Sequence, residues 1–217
     1  MDSRNGLIRG IRAGLPLAPP TLALGVSFGV LAEPVMGKVA PIVMSVAIFS
    51  GAAQFASLTV FAAGGGVLAA VAAAVLVSAR WLVMGFAVGP SLPGGLIARA
   101  LQGQAVVDAS FAIASRGDGS FDRELLIGAT VPQAASWIVG TVVGVVVGPV
   151  LGDPRHLGLD AVFVAFYLAL LWRELGGHKT AAAAAGAGIA LALVPIAPVG
   201  VPIVAASLAA LIGLRAK

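Results

Sequence analysis

Eight apolar segments constrain the fold of this chain more than any other feature. They run roughly over residues 15–36, 40–62, 67–89, 101–115, 125–151, 158–173, 180–197 and 199–214. A helix needs about 20 apolar residues to cross the hydrocarbon core of a bilayer, and about 17 are enough. Segment 101–115 is short and polar at its centre, so it could also be one arm of a re-entrant hairpin. The sequence therefore predicts an all-α fold, a polytopic transmembrane helix bundle of seven or eight membrane segments.

Composition excludes the common soluble classes. Hydrophobic residues make up 59% of the chain, charged residues 10%, and the mean hydropathy is +1.05, whereas soluble domains carry about 25% charged residues. The formal net charge of +4 comes from Lys and Arg scattered over short loops, which membrane topology explains without nucleic acid. The chain has no cysteine and no nucleotide-binding or metalloprotease motif. We therefore expect neither an enzyme, a cofactor nor a metal site.

The distribution of basic residues predicts an orientation. If all eight segments cross and the N-terminus is cytoplasmic, nine Lys and Arg lie on the cytoplasmic side and three on the far side, with Arg80 inside a span. The positive-inside rule favours this arrangement. If segment 101–115 did not cross, the asymmetry would disappear. We expect one membrane domain over residues 1–217, with both termini cytoplasmic.

The chain contains an internal echo. Gly25-x3-Gly29-x4-Pro34 and Gly140-x3-Gly144-x4-Pro149 match with an offset of 115 residues. Transporters are often built from duplicated halves, so residues 15–115 and 125–214 are candidate repeats. Coincidence in a chain rich in Gly and Val is the alternative.

Two ionisable residues lie inside apolar segments. Arg80, in Ser78-Ala79-Arg80-Trp81, would hold a carboxylate of a substrate or of Asp108, or it would reach the headgroups alone. Asp108 would take up and release a proton or form an ion pair with Arg80. On one continuous helix, Gln104, Asp108 and Phe111 would share a face.

Polar residues in two other segments are further candidates. Ser50, Gly51, Gln54 and Phe55 lie in the middle of segment 40–62, where small residues permit local unwinding or close helix packing. These residues would line a substrate pocket or join helices to one another. Secondary candidates are Gln104, Gln133 and Asp160, and Asp160 is also explained as a carboxylate at a helix N-terminus.

These segments together resemble the AzlC family of branched-chain amino acid exporters, also called the LIV-E family. The similar stretches are Gly25-Val26-Ser27-Phe28-Gly29, Ser50-Gly51-Ala52-Ala53-Gln54-Phe55, Arg80, Asp108–Phe111 and Gly158-Leu159-Asp160-Ala161 with the stretch from Phe163 to Leu171. The family usually has Asn-x-Arg-His where this chain has Ser78-Ala79-Arg80-Trp81, and Thr-Asp-Glu where it has Val107-Asp108-Ala109. A histidine and an acidic residue are therefore missing here.

The resemblance implies a subunit of the bacterial cytoplasmic (inner) membrane that works with a small hydrophobic partner of the AzlD type. Together with the polar residues, it predicts a secondary transporter that exports branched-chain or other neutral apolar amino acids. In this hypothesis Arg80 binds the substrate carboxylate, and Phe28, Phe55 or Phe111 contacts its side chain. The alternatives are a membrane scaffold, a permease component of a larger complex and, last, a channel. The expected partners are the small subunit, the amino acid and lipid, and a homo-oligomer is left open.

Overall fold

The chain folds into helices. The computed structural model describes residues 3–151, 178–197 and 201–210, together with positions 161, 165, 168, 171, 172, 175 and 176. Their helices are α1 (Ser3–Gly14), α2 (Ala18–Met36), α3 (Val39–Ala47), α4 (Gly51–Ala62), α5 (Val67–Ser78), α6 (Arg80–Val88), α7 (Leu96–Gly103), α8 (Asp108–Ala114), α9 (Arg123–Leu151), α10 (His178–Leu193) and α11 (Val201–Ser207). An isolated bridge joins Ser115 to Phe121. The all-α prediction is confirmed for this part of the chain.

The chain divides into two compact units, each built from two stretches of sequence. Unit 1 comprises residues 1–51 and 79–159, and unit 2 comprises residues 52–78 and 160–217. The units do not coincide with the candidate repeats 15–115 and 125–214. The duplication of the chain stays a prediction.

Two helices of unit 1 are long enough to span a bilayer. One runs without interruption from Arg4 to Met36 and includes α1, a short 3-10 turn (Leu15–Leu17) and α2. The other is α9, whose 29 residues make it about 44 Å long at about 1.5 Å per residue. Both were predicted as spans, at 15–36 and 125–151, and both meet the length and hydropathy expected of one.

These two helices pack in parallel through glycines. Gly10 lies against Gly128, Gly25 against Gly140, and Gly29 against Gly144. A Cβ on Gly29 would come within 3.0 Å of the Gly144 Cα, and one on Gly25 within 2.6 Å of the Trp137 carbonyl oxygen. Small residues allow the two backbones to touch, as in other membrane helix pairs. The two glycine motifs of the internal echo are thus the two faces of one interface.

Three other predicted segments are broken rather than continuous. Segment 40–62 divides into α3 and α4 at the non-helical residues 48–50, segment 67–89 into α5 and α6 at Ala79, and segment 101–115 into α7 and α8 at 104–107. In the described residues two helices meet the length of a span, or three if α5 and α6 count as one broken span. Seven or eight spans are therefore not confirmed, and most of segment 158–173 lies outside the described residues.

Unit 2 contains two pairs of short helices. The helices α4 and α5, 12 residues each, are joined by a turn in which Gly64 has a φ of +77°. They are held by the buried cluster of Val60, Ala70 and Ala73. In the second pair, α10 contacts α11 where Gly186 approaches Ala206. A 12-residue helix is about 18 Å long, so α4 and α5 each match roughly half of a bilayer core.

The start of α9 is fixed by a capping carboxylate. Asp122 Oδ1 accepts the backbone N–H of Leu125 at 3.1 Å, and Oδ2 accepts from Arg116 at 3.2 Å. The pKa of Asp122 therefore lies below its ordinary value, first because of the Leu125 hydrogen bond and then because of Arg116, while burial acts in the opposite direction. The hydrogen bonds of Asp122 to Leu125 and Arg116 therefore fix where α9 begins.

The glycine interface predicts which glycines cannot be replaced by a larger residue without loss of stability. Gly140→Leu would drive a side chain into the backbone of Leu22 and Val26, and overpacking of this kind costs about 1–3 kcal/mol or more. Gly85→Leu makes the same chemical change in α6, where a Cβ would meet open space. We expect thermal unfolding in detergent to show a clear loss of melting temperature for the first variant alone. Equal melting temperatures for the two variants would contradict the interface.

The cap predicts a pH-dependent contribution to stability. Asp122→Ala should lower the unfolding free energy by about 1 kcal/mol, the usual value of an N-cap. Because the folded-state pKa of Asp122 is lowered, the stabilisation is complete above the unfolded pKa of about 3.9 and is lost as pH falls through the folded value. Asp122→Asn keeps a capping oxygen, so it should retain most of the stability at pH 7 and lose the pH dependence. Denaturant titrations from pH 7 to pH 2 measure both effects.

Candidate functional site

An ion pair joins two of the helices that begin after a helix interruption. Arg80 is the first residue of α6 and Asp108 the first residue of α8, and Arg80 Nη2 donates to Asp108 Oδ2 at 3.0 Å. The side chains keep 39% and 47% of their surface exposed. Sequence reasoning had left Asp108 and a substrate as alternative partners for Arg80. The structure shows the pair between the two residues, with surface left on each charge.

The guanidinium of Arg80 also lies beside the indole of Trp81. Its Cζ is 5.8 Å from the ring centroid, which is within the range of a cation–π contact. The Trp81 Nε1–H is buried and has no hydrogen-bond acceptor in the structure. The aromatic ring and the carboxylate of Asp108 together hold the cation in place.

The break between α3 and α4 is packed against the middle of α9. The backbone becomes extended at Ile48 (φ −135°, ψ 103°). Beyond the break, a Cβ on Gly51 would lie 3.0 Å from the Trp137 ring. Trp137 is 2% exposed and stacks on Phe28 with ring centroids 5.9 Å apart. Gly51 therefore lets the broken chain approach a buried aromatic pair.

A hydroxyl pair fixes the end of α3 to the same face of α9. Ser45 Oγ and Thr141 Oγ1 are 2.8 Å apart, and either can donate. Both residues are buried, at 1% and 0% exposure. Since buried hydroxyls require partners, this pair positions α3 one turn before the break.

The turn between α7 and α8 is also tied to α9. The carbonyl oxygen of Ala105 accepts the hydroxyl of Thr130 at 2.7 Å and that of Ser110 at 2.5 Å. The backbone N–H of Val107 donates to Ser110 Oγ at 3.1 Å. Residues 104–107 are thereby held beside α9, immediately before Asp108.

A partly open cavity of about 210 Å³ lies between these elements of unit 1. Its lining from α3 and the following break is Ser45, Val46 and Phe49, and its lining from the 104–107 turn is Gln104 and Ala105. Residues of α9 complete it: Ile127, Thr130, Val131, Ala134 and Ile138. The cavity is therefore bounded by two of the helix interruptions and by one face of the long helix α9.

The remaining candidates from the sequence are distributed over both units. Ser50 and Gly51 belong to unit 1, whereas Gln54 and Phe55 belong to unit 2. Gln54 is completely buried. The Gln133 side chain donates to the Ala129 carbonyl within α9 at 2.7 Å. Asp160 lies outside the described residues.

The predicted helical face of Gln104, Asp108 and Phe111 is wrong. Gln104 follows the end of α7, and α8 begins only at Asp108, so the three residues do not share a helix. Phe111 packs against Phe121 with ring centroids 4.7 Å apart. Gln104 lines the cavity instead.

Sequence reasoning missed most residues of the cavity. The α9 contribution follows the i, i+3, i+4, i+7 and i+11 spacing of one helical face, counted from Ile127. That spacing is present in the sequence, but an apolar face with one threonine is the ordinary signature of a packed helix. Only the breaks at 48–50 and 104–107 turn this face into the wall of a cavity.

The anchored turn yields a testable consequence. Thr130→Val preserves the shape of the side chain but removes the hydrogen bond to Ala105. A lost hydrogen bond contributes about 1 kcal/mol, so amide hydrogen exchange at residues 104–107 should accelerate about fivefold. Thr141→Val is the matched control, because Thr141 bonds to Ser45 and not to the turn. Unchanged exchange at 104–107 in Thr130→Val would contradict the anchoring role.

Comparison with known proteins gives two matches. The family model described as AzlC protein matches residues 16–151, more than half of the chain. A protein of Archaeoglobus fulgidus described as an uncharacterized membrane protein is 27% identical over 211 residues, which cover 95% of this chain and 94% of the relative. No solved structure matches the chain.

Proposed function

The chain belongs to the AzlC family, and on this premise we propose that it is a secondary transporter that exports branched-chain or other neutral apolar amino acids across the cytoplasmic membrane. Its energy source in this proposal is an ion gradient or the gradient of the solute, and no enzymatic step is involved. A small hydrophobic subunit of the AzlD type completes the transporter.

The ion pair of Arg80 and Asp108 carries the proposal. Ionisable groups at membrane depth are costly, so they usually face a cavity, a partner or a transport pathway. Here the two charges meet at the first residues of α6 and α8, next to breaks in apolar segments. Broken helices with polar groups at the breaks are typical of secondary transporters.

The roles of the two charges follow from the chemistry of an amino acid. Arg80 would bind the solute carboxylate, because its guanidinium has more donors than the 3.0 Å bond to Asp108 uses. Asp108 would release Arg80 by taking up a proton, or would meet the solute ammonium group. Ser50, Gly51 and Phe111 of unit 1 are proposed to complete the pocket, with Gln104 and Gln133 as secondary candidates. Gln54, Phe55 and Asp160 stay predictions from the sequence.

The parallel helices support the proposed orientation. Both begin at the same end of the glycine interface, and this end carries Arg4, Arg9, Arg12 and Arg123. The positive-inside rule assigns such an end to the cytoplasm. We therefore propose a multi-pass protein of the bacterial inner membrane with a cytoplasmic N-terminus.

Loss of leucine efflux in Arg80→Ala tests the function. The protein would be reconstituted with its small subunit in leucine-loaded vesicles. Since a hydrogen bond to a charged group contributes about 1.5–3 kcal/mol, the variant should lower the efflux rate at least about tenfold. Arg99→Ala removes an exposed arginine of α7 and should leave efflux unchanged.

A charge swap separates substrate binding from a purely structural ion pair. The double variant Arg80→Asp/Asp108→Arg keeps an ion pair but moves the cation, so a binding role predicts a folded protein without efflux. Full efflux in the swap or in Arg80→Ala would contradict the role of Arg80. If leucine-loaded vesicles with the wild-type protein release leucine no faster than loaded vesicles without protein, the scaffold alternative is favoured instead.

A further inference from the structure

The cavity between α3, the 104–107 turn and α9 has a lining that suits an apolar group. None of the described residues that line it is charged. Ser45 is bonded to Thr141, and Thr130 to Ala105 and Leu126. The remaining polar side chain is Gln104, which is exposed. The interior can therefore hold an apolar group, with one amide at the rim.

The volume of the cavity limits the size of that group. An apolar cavity of about 150 Å³ is known to hold benzene, with its six carbons. The cavity here measures about 210 Å³, whereas pockets for drug-sized molecules begin at about 300 Å³. A branched aliphatic group of four or five carbons would fit.

The cavity extends from one end of α9 towards its middle. The lining residues of α9 run from Ile127 to Ile138. The glycine contacts place this stretch between the level of Gly10 and that of Gly25, on the side where both long helices begin. Its inner end is next to Trp137, whose ring also lies against Gly51, the residue that follows the 48–50 break. The cavity lining therefore extends along α9 from near the arginine-rich end of the helix pair to the level of a broken helix.

We propose that this cavity is the entry pocket for the solute, which receives the aliphatic side chain of a neutral amino acid from the cytoplasmic side. Ala134 sets the space available to that side chain, because it is the smallest of the α9 residues in the lining. The inference rests on the proposed transport function and adds a site that contains neither Arg80 nor Asp108.

Cysteine labelling tests the access and the occupant of the pocket. The chain has no cysteine, so Ala134→Cys introduces a unique thiol. A charged, membrane-impermeant methanethiosulfonate should modify it in inside-out vesicles and not in right-side-out vesicles. Leucine at ten times its dissociation constant should slow modification about tenfold by occupancy, whereas glutamate should not. Ala135→Cys, an exposed neighbour outside the cavity lining, should show no protection.

Filling the pocket gives an independent measurement. Ala134→Leu should lower the ratio of leucine to alanine flux about tenfold or more, since one or two methylene groups in an apolar pocket discriminate by that amount. Ala135→Leu should leave the ratio unchanged.

The outcomes separate the pocket from the function. If wild-type protein transports leucine while leucine fails to protect Ala134→Cys, the pocket is refuted and the transporter stands. Modification by a lipid-soluble reagent but not by the charged one would make the cavity a lipid-filled groove, and also refutes the pocket. Absence of leucine transport by the wild type would refute the function on which the inference rests.

Discussion

Direct backbone contact between two long helices organises unit 1. Glycines lie at close approaches along this interface, from Gly10 and Gly128 near one end to Gly29 and Gly144 further along. In lipid, apolar side chains gain little by leaving one apolar surface for another, so close packing and not burial drives helix association. A side chain at these positions would separate the backbones. The elements that form the cavity are attached to α9, so their geometry depends on this contact.

The parallel direction of the pair constrains the rest of the topology. If α2 and α9 both cross the membrane in the same direction, the chain between residues 37 and 122 must return by an odd number of crossings. The helices in that stretch are short and broken in three places, and none of them alone meets the length of a span. A return by broken helices leaves backbone polar groups unpaired at the breaks, and such breaks are tolerated only where protein or water surrounds them. The topology thus brings polar groups inside an otherwise apolar chain.

The sequence predicts the continuous helices and fails at the breaks. Segments 15–36 and 125–151 are recognisable because length and hydropathy are sufficient criteria for a span. The ion pair of Arg80 and Asp108 is one of the two partnerships that the sequence predicts for Arg80. Opposite charges within apolar segments attract each other whatever the fold. The break at Ala79 has no proline or glycine beside it, so no local signal marks it. At 48–50 the sequence marks the interruption only by the low helix propensity of Ser50 and Gly51. The close packing of Gly51 against Trp137 is not visible in the sequence. The cavity could not be predicted, because it exists only where two such breaks face one helix.

In the proposed transporter, the ion pair and the cavity would supply two different parts of the chemistry that an apolar amino acid requires. Such a solute carries two opposite charges at one end and an aliphatic group at the other, and neither an apolar cavity nor an ion pair alone satisfies both. In this chain Asp108 follows directly on the turn whose residues Gln104 and Ala105 wall the cavity. Thr130 bonds that turn to α9, so movement of the turn would displace the carboxylate and the cavity wall together. A solute that separated Asp108 from Arg80 would therefore act on the segment that bounds its own side chain. In the proposed transporter, the exchange of the internal ion pair for contacts with the solute would link binding to movement of the broken helices.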